Sequence, residues 1–408
     1  MDKDKKSLIE KILHEIAEDI IVRFEKGELG NNIGLLSGKS GVSLFMFYAS
    51  RYFNNERYEK YAQLILEGTF KDINEGSLFP TYCTGLAGVG WAINHLVENG
   101  FIGDNNLSLL VDFDEYLDKI MDGYARSNNF DFLHGATGIA FYFTKRANSN
   151  PKVKDYLYDY VQKLKTYAIF DEVNKTAKII STILDENEKP KEVYNLSLSH
   201  GMSSIIIILC KVAGITDGNA DCIELIKGFS NYIISNETIP DKVTFSRYPS
   251  CVELININPK TSSRLSWCYG DIGNGFAFLN AYKILCDENY IVKAKDVFDS
   301  LETRNDVGKQ LIRDSGVCHG SAGINVICKN LKRFHNQNIY DELIEHWLGI
   351  TLSFYKSKNY SLEGFSMFTT KGYEYELGIL NGTSGVGLSF LSNLNENYLN
   401  WTEMLLID

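Results

Sequence analysis

A short element, Gly-x-x-Gly followed at once by an apolar stretch, recurs along this chain. It constrains the fold more than any other feature, because a repeat array builds its core by stacking like units. The element reads SGKSGVSLFMFYA at Gly38, TGLAGVGWAINHL at Gly85, HGATGIAFYF at Gly135, YGDIGNGFAFLNAY at Gly270, HGSAGINVICKNL at Gly320 and NGTSGVGLSFLSNL at Gly382. HGMSSIIIILCKV at Gly201 is a seventh copy, with Ser204 in place of the second glycine. The first glycines lie 47, 50, 66, 69, 50 and 62 residues apart.

The stretches after the glycines are apolar nearly all round, the pattern of an inner helix with no solvent face. Between them lie amphipathic segments. In the first, Leu8, Ile9, Ile12, Leu13, Ile16 and Ile20 form one stripe, while Glu10, Lys11, Glu18 and Asp19 face away. Similar stripes run over 107–121 and 343–354 and read as outer helices. One outer and one inner helix of about 15 residues each, with two loops, use roughly 45 to 50 residues, in line with the shorter spacings. The longer third and fourth spacings call for added material. Residues 168–198 and 237–266 carry KIISTIL and DKVTFSRY with the turn-forming DENEKPK and NPKTSS, so both are expected to hold hairpins or small insertions. The expectation is one all-α domain over 1–408 with small β-containing insertions. The glycines read as packing devices that permit φ above zero at a turn and close backbone approach. A phosphate cradle is disfavoured, because seven copies would mean seven sites and no P-loop lysine–serine pair follows.

With 44% hydrophobic and 23% charged residues, the chain has the composition of a globular protein. Fifty-two acidic against 41 basic side chains give a net charge of −11, and no Lys/Arg stripe stands out, which argues against a nucleic-acid partner. The apolar run Ile205–Cys210 falls far short of the roughly 20 residues that span a bilayer. The opening MDKDKKSLIEKIL mixes charges where a signal peptide would be apolar, so a cytoplasmic location is expected. The eight cysteines are too dispersed for a disulfide framework.

Equivalent positions of a circular repeat share one rim, and the residues just before each first glycine are chemically rich. They are Leu36-Ser37, Cys83-Thr84, Leu133-His134, Ser199-His200, Cys268-Tyr269, Cys318-His319 and Leu380-Asn381. Three of the seven histidines and three of the eight cysteines fall within these 14 positions out of 408, more than chance would place there. Cys268, Cys318 and His319 form the best metal set: they come from neighbouring copies, are ligand types zinc prefers, and leave a fourth tetrahedral position open. The alternative is that the two cysteines are small apolar fillers and His319 a hydrogen-bonded core group. Cys83 reads as such a filler. Two thiolates and a neutral imidazole cancel the charge of Zn²⁺, so a thiol entering the open position would lose its proton and keep its nucleophilicity. Among the remaining polar residues, His200 suits acid–base work, Arg264 the stabilisation of an anion, and Asp131 the orientation of either; each alone reads more often as a cap, a core group or a salt-bridge partner. His134 is expected to cap a helix, with substrate binding as the alternative.

Seven Gly-x-x-Gly copies with SHG at His200, WCYG at Trp267–Gly270 and CHG at Cys318–Gly320 resemble the lanthionine synthetase C family of zinc-dependent lantibiotic cyclases, over nearly the whole chain. The resemblance implies an α,α-toroid of seven outer and seven inner helices, with Zn²⁺ at Cys268, Cys318 and His319. It further implies active-site roles for Asp131, His200, Arg264, Trp267 and Tyr269. The implied reaction is Michael-type addition of a peptide cysteine thiol to dehydroalanine or dehydrobutyrine, giving lanthionine or methyllanthionine. The implied partners are a dehydrated precursor peptide, and a dehydratase and an ABC exporter as candidate members of a complex at the inner face of the membrane. The length is expected to be that of a stand-alone cyclase. Three alternatives compete: an enzyme that adds glutathione to dehydroamino acids, a prenyltransferase-like zinc alkyltransferase whose ligand set would include a carboxylate, and a non-catalytic peptide-binding scaffold.

Overall fold

The computed structural model describes residues 1–76, 78–184, 189–239, 245–255, 262–335 and 338–408. Among them fourteen α-helices alternate in kind: α1 (Lys3–Glu25), α2 (Lys39–Phe53), α3 (Glu56–Asn74), α4 (Leu86–Glu98), α5 (Val111–Arg126), α6 (Ala136–Arg146), α7 (Val153–Tyr167), α8 (Met202–Ile215), α9 (Ala220–Ser235), α10 (Ile272–Leu285), α11 (Glu288–Asp299), α12 (Ser321–His335), α13 (Asn338–Ser357) and α14 (Thr383–Leu394). The seven odd-numbered helices each bury one stripe, as α1 does with Ile9, Ile12, Leu13, Ile16 and Ile20. The seven even-numbered helices each follow one glycine element and are buried nearly all round. In α8, Ile205 to Leu209 are at most 1% exposed; each such side chain contributes about 1.5–3 kcal/mol relative to leaving it in water.

The chain divides into two compact units. In the unit formed by Met1–Leu110 and Val307–Asp408, the enclosed helices pack in the order α12, α14, α2, α4, with α13 against α12, α3 against α2, and α1 against α14 and α2. In the unit formed by Val111–Asp306 the order is α6, α8, α10, with α5 and α7 against α6, α9 against α8, and α11 against α10.

The glycine elements work by close approach alone. Gly38, Gly85, Gly135, Gly201 and Gly382 are N-caps with φ between −120° and −141°, and no glycine of the repeat has a positive φ. The left-handed role expected of them is therefore corrected. Instead the loop before each helix folds over the helix start. Carbonyls of that loop accept the first N–H groups, as in Lys39 N to Asn32 O (2.9 Å), Leu86 N to Phe79 O (2.7 Å) and Ala136 N to Asn129 O (2.9 Å). These are the donors that a helix start leaves without partners. A Cβ on the second glycine would strike the same loop, 2.0 Å from Leu35 O at Gly41 and 1.8 Å from Ile379 O at Gly385. In the fourth copy, Ser204 turns its hydroxyl back onto Gly201 O at 2.9 Å.

The insertion expected over 168–198 is present. Strands β1 (Ile169–Asp171) and β2 (Thr176–Lys178) form one hairpin, and β3 (Ser181–Leu184) and β4 (Pro190–Asn195) pair antiparallel, with β5 (Cys251–Glu253) on the other side of β4. Of the expected 237–266 insertion, β5 is the described strand; part of DKVTFSRY, NPKTSS and DENEKPK lies outside the described residues. A further hairpin, β6 (Met367–Thr369) with β7 (Gly372–Glu374), was not expected, its strands being too short to show alternation. No described helix is long and apolar enough to cross a membrane.

Candidate metal and acid–base site

In the unit formed by Val111–Asp306, the loops before α6, α8 and α10 bring most of the acid–base candidates together. Asp131 Oδ2 accepts from His200 Nδ1 at 2.6 Å, and Asp131 Oδ1 accepts the His134 backbone N–H at 2.7 Å. The His200 ring lies 5.5 Å from the Tyr269 ring and 6.0 Å from the His134 ring, centroid to centroid. Asp131, His134, His200 and Tyr269 share a cavity of about 790 Å³ whose far wall is β3.

The loops are tied to one another. Ser199 donates to Cys268 O from its amide (3.3 Å) and its hydroxyl (3.1 Å), joining SHG to WCYG, and Ser250 Oγ donates to Tyr269 O at 2.7 Å. Buried Asp271, just after WCYG, accepts from Arg304 Nη1 at 2.7 Å and from Arg247 N at 2.8 Å. Trp267 is buried, 1% exposed. Arg264 Nη2 lies 3.8 Å from Cys268 Sγ, so of the two residues Asp131 was expected to orient, His200 is the one it holds.

Charge follows from these contacts. Burial alone would raise the Asp131 carboxyl, but the His200 hydrogen bond and charge hold it below the usual carboxylate value. Burial alone would lower His200, yet its bond to Asp131 raises it above the usual imidazole value. His134 moves the other way, lowered by loss of water and by the charge of His200 against the pull of Asp131. The capping role expected of His134 is corrected: Gly135 is the N-cap of α6, and the His134 ring faces His200.

In the other unit, Val317 N and Cys318 N both donate to Leu380 O at 2.8 Å, which fixes the CHG loop ahead of α12. Behind His319 lies Asp314, 1% exposed, a residue sequence reasoning did not single out. Its Oδ1 accepts from Gly316 N at 2.9 Å; its Oδ2 accepts from Phe368 N at 3.1 Å and stands 3.3 Å from His319 Nε2. Burial opposes ionisation of Asp314, but His319 and the two amides keep its carboxyl below the usual value. The available signal was position: Asp314 stands six residues before its glycine, where other copies carry Asn32, Asn129 and Asn195.

Cys268, in the loop before α10, offers one sulfur; Cys318 and His319, in the loop before α12, offer a second sulfur and an imidazole. Two sulfurs and an imidazole with a carboxylate behind it are a donor set that fits zinc. Cys83 is buried, with its Sγ 3.8 Å from Ser37 Oγ.

Comparison with known proteins agrees with this arrangement of helices. A family model described as "Lanthionine synthetase C-like protein" matches residues 31–406. The chain belongs to that family. Nisin biosynthesis protein NisC of Lactococcus lactis subsp. lactis is 25% identical over 440 residues, covering 99% of this chain and 96% of the relative. The solved structure of Nisin cyclase superposes with a TM-score of 0.74 at 20% identity, over 100% of this chain and 98% of that one. The fold is the α,α-toroid of that structure, with the small sheets as insertions.

Proposed function

We propose that this chain closes thioether rings in a dehydrated precursor peptide, adding cysteine thiols to dehydroalanine or dehydrobutyrine, with zinc held by Cys268, Cys318 and His319. The observation that carries this reading is Asp314 Oδ2 standing 3.3 Å behind His319 Nε2, next to Cys318, in a chain of the lanthionine synthetase C-like family that also carries WCYG at Cys268. Bound there, zinc would supply the positive charge that lets a substrate cysteine ionise near neutral pH, against the few percent expected of a free thiol of pKa about 8.5.

The chain's own residues supply the rest. Addition of sulfur to the β-carbon leaves an enolate that must gain a proton at the α-carbon. His200, kept cationic by Asp131, carries that proton on Nε2, because Nδ1 is engaged by the carboxylate. Arg264, beside Cys268, offsets the negative charge of the thiolates and the enolate. Tyr269 shares the cavity with His200 and packs its ring near the imidazole, while buried Trp267 anchors the loop that presents Cys268 and Tyr269. The alkenes arise by loss of water from serine and threonine, so a dehydratase acts upstream. With an ABC exporter at the inner face of the membrane it completes the partner set of this reading, in which the chain is cytoplasmic and 1–408 is one catalytic domain.

The test is metal analysis followed by incubation with a dehydrated, cysteine-containing precursor peptide. The expected result is about one zinc per chain, lost in Cys268→Ala, and substrate cysteines that stop reacting with an alkylating agent while the peptide mass stays the same. A mass gain of one glutathione per alkene, seen only with added glutathione, would reassign the chain to glutathione addition. Fully reactive cysteines and a metal-free chain would leave a peptide-binding scaffold.

A further inference from the structure

Resting on the cyclase reading, we propose that His134 is a proton relay between solvent and His200. The two histidines occupy the same position in successive copies, each just before its first glycine, on loops that lead into the packed helices α6 and α8. Asp131 binds both loops, the His134 backbone through Oδ1 and the His200 ring through Oδ2. That clamp leaves the two rings nearly parallel, 25° apart, with centroids 6.0 Å apart. His134 is solvent-exposed, whereas His200 is half-buried, and both line the same cavity.

The chemistry requires such a group. Each ring closure breaks the cysteine S–H bond and the alkene π bond and forms one C–S and one Cα–H bond, so no proton is consumed overall. The proton that leaves sulfur nevertheless departs before another arrives at the α-carbon. If His200 delivers the second, it ends each cycle neutral at Nε2 and must be recharged. Its Nδ1 is committed to Asp131, so recharging runs through the cavity, where His134 is the exposed imidazole beside it. The depressed proton affinity of His134 agrees with a group that passes a proton on. His134 thus acts through His200 and is not itself a catalytic residue.

The experiment compares the full-length zinc-loaded chain with His134→Ala and His134→Gln, following loss of substrate thiols on a dehydrated precursor peptide at increasing concentrations of a non-coordinating sulfonic-acid buffer. In weak buffer both variants are expected to turn over about tenfold or more slowly than the native chain. Concentrated buffer should restore them, leave the native rate unchanged, and leave zinc content equal in all three. Variants that match the native chain at every buffer concentration, or that are slow with no recovery, would overturn the relay. A native chain that leaves every substrate cysteine reactive would overturn the cyclase reading itself and the relay with it.

Discussion

Asp131 Oδ2 accepts a 2.6 Å hydrogen bond from His200 Nδ1, and each residue moves the other's ionisation toward the charged form. The carboxyl falls below its ordinary value of 3.8 and the imidazole rises above its ordinary value of 6.5. The contribution of this pair to folding is therefore whole above pH 3.8 and below pH 6.5. It is lost as pH falls through the lowered carboxyl value, and again as pH rises through the raised imidazole value. If the imidazolium is the acid, cyclisation slows as pH rises through that raised value. In Asp131→Asn the decline is expected at lower pH. Rate profiles and an NMR titration of the His200 ring check this, and an unmoved profile would remove His200 as the acid.

In the zinc reading proposed above, Asp314, with Oδ2 3.3 Å from His319 Nε2, stands as a carboxylate behind a metal-ligating imidazole. Replacing such a partner typically weakens metal affinity by about 10–100-fold. Asp314→Asn is therefore expected to lose zinc to a chelator at about 10–100-fold lower chelator concentration than the native chain, while circular dichroism stays native. Retention equal to the native chain would mean that Asp314 only closes its loop through Gly316 and Phe368.

Two glycines should respond oppositely to alanine. At Gly385 a Cβ would meet Ile379 O at 1.8 Å, inside the loop that covers the start of α14. Gly385→Ala is expected to cost about 1–3 kcal/mol, as overpacked sites do. Gly349 lies on the exposed face of α13 with nothing within 4 Å of a Cβ. There alanine should gain about 0.5–1 kcal/mol by limiting the unfolded chain. Denaturant unfolding of both variants reads the difference directly.

Buried Asp114 accepts from Arg146 Nε and Nη2, Tyr142 Oη and Asn150 Nδ2. Asp114→Ala leaves the Arg146 charge buried without its carboxylate and is expected to cost about 3–5 kcal/mol. A chain as stable as native in urea would show that the guanidinium finds water or another acceptor.

The seven-fold pattern made the fold legible because burial leaves a periodic trace: all-round apolar stretches after the glycines and one-sided stripes between them. The same register put Cys268, Cys318, His319 and His200 at equivalent loop positions, so they could be singled out before any geometry was known. Three-residue strands such as β6 and β7 leave no such trace, being shorter than the run of about four residues over which alternation can be read.

What sequence alone determined is the number of copies, the order of enclosed and amphipathic helices, and the residue types at each helix entrance. Only the tertiary structure decided which of those residues face one another. An aspartate six residues before a glycine fills the loop position that asparagines fill in other copies, until the direction of its second oxygen brings His319 within 3.3 Å. A histidine before a glycine reads as a cap until the packing of α6 and α8 turns its ring toward His200. Spacing sets where a backbone enters a helix. Side-chain direction depends on rotamers and on neighbours far away in the chain, and these are settled only when the helices pack.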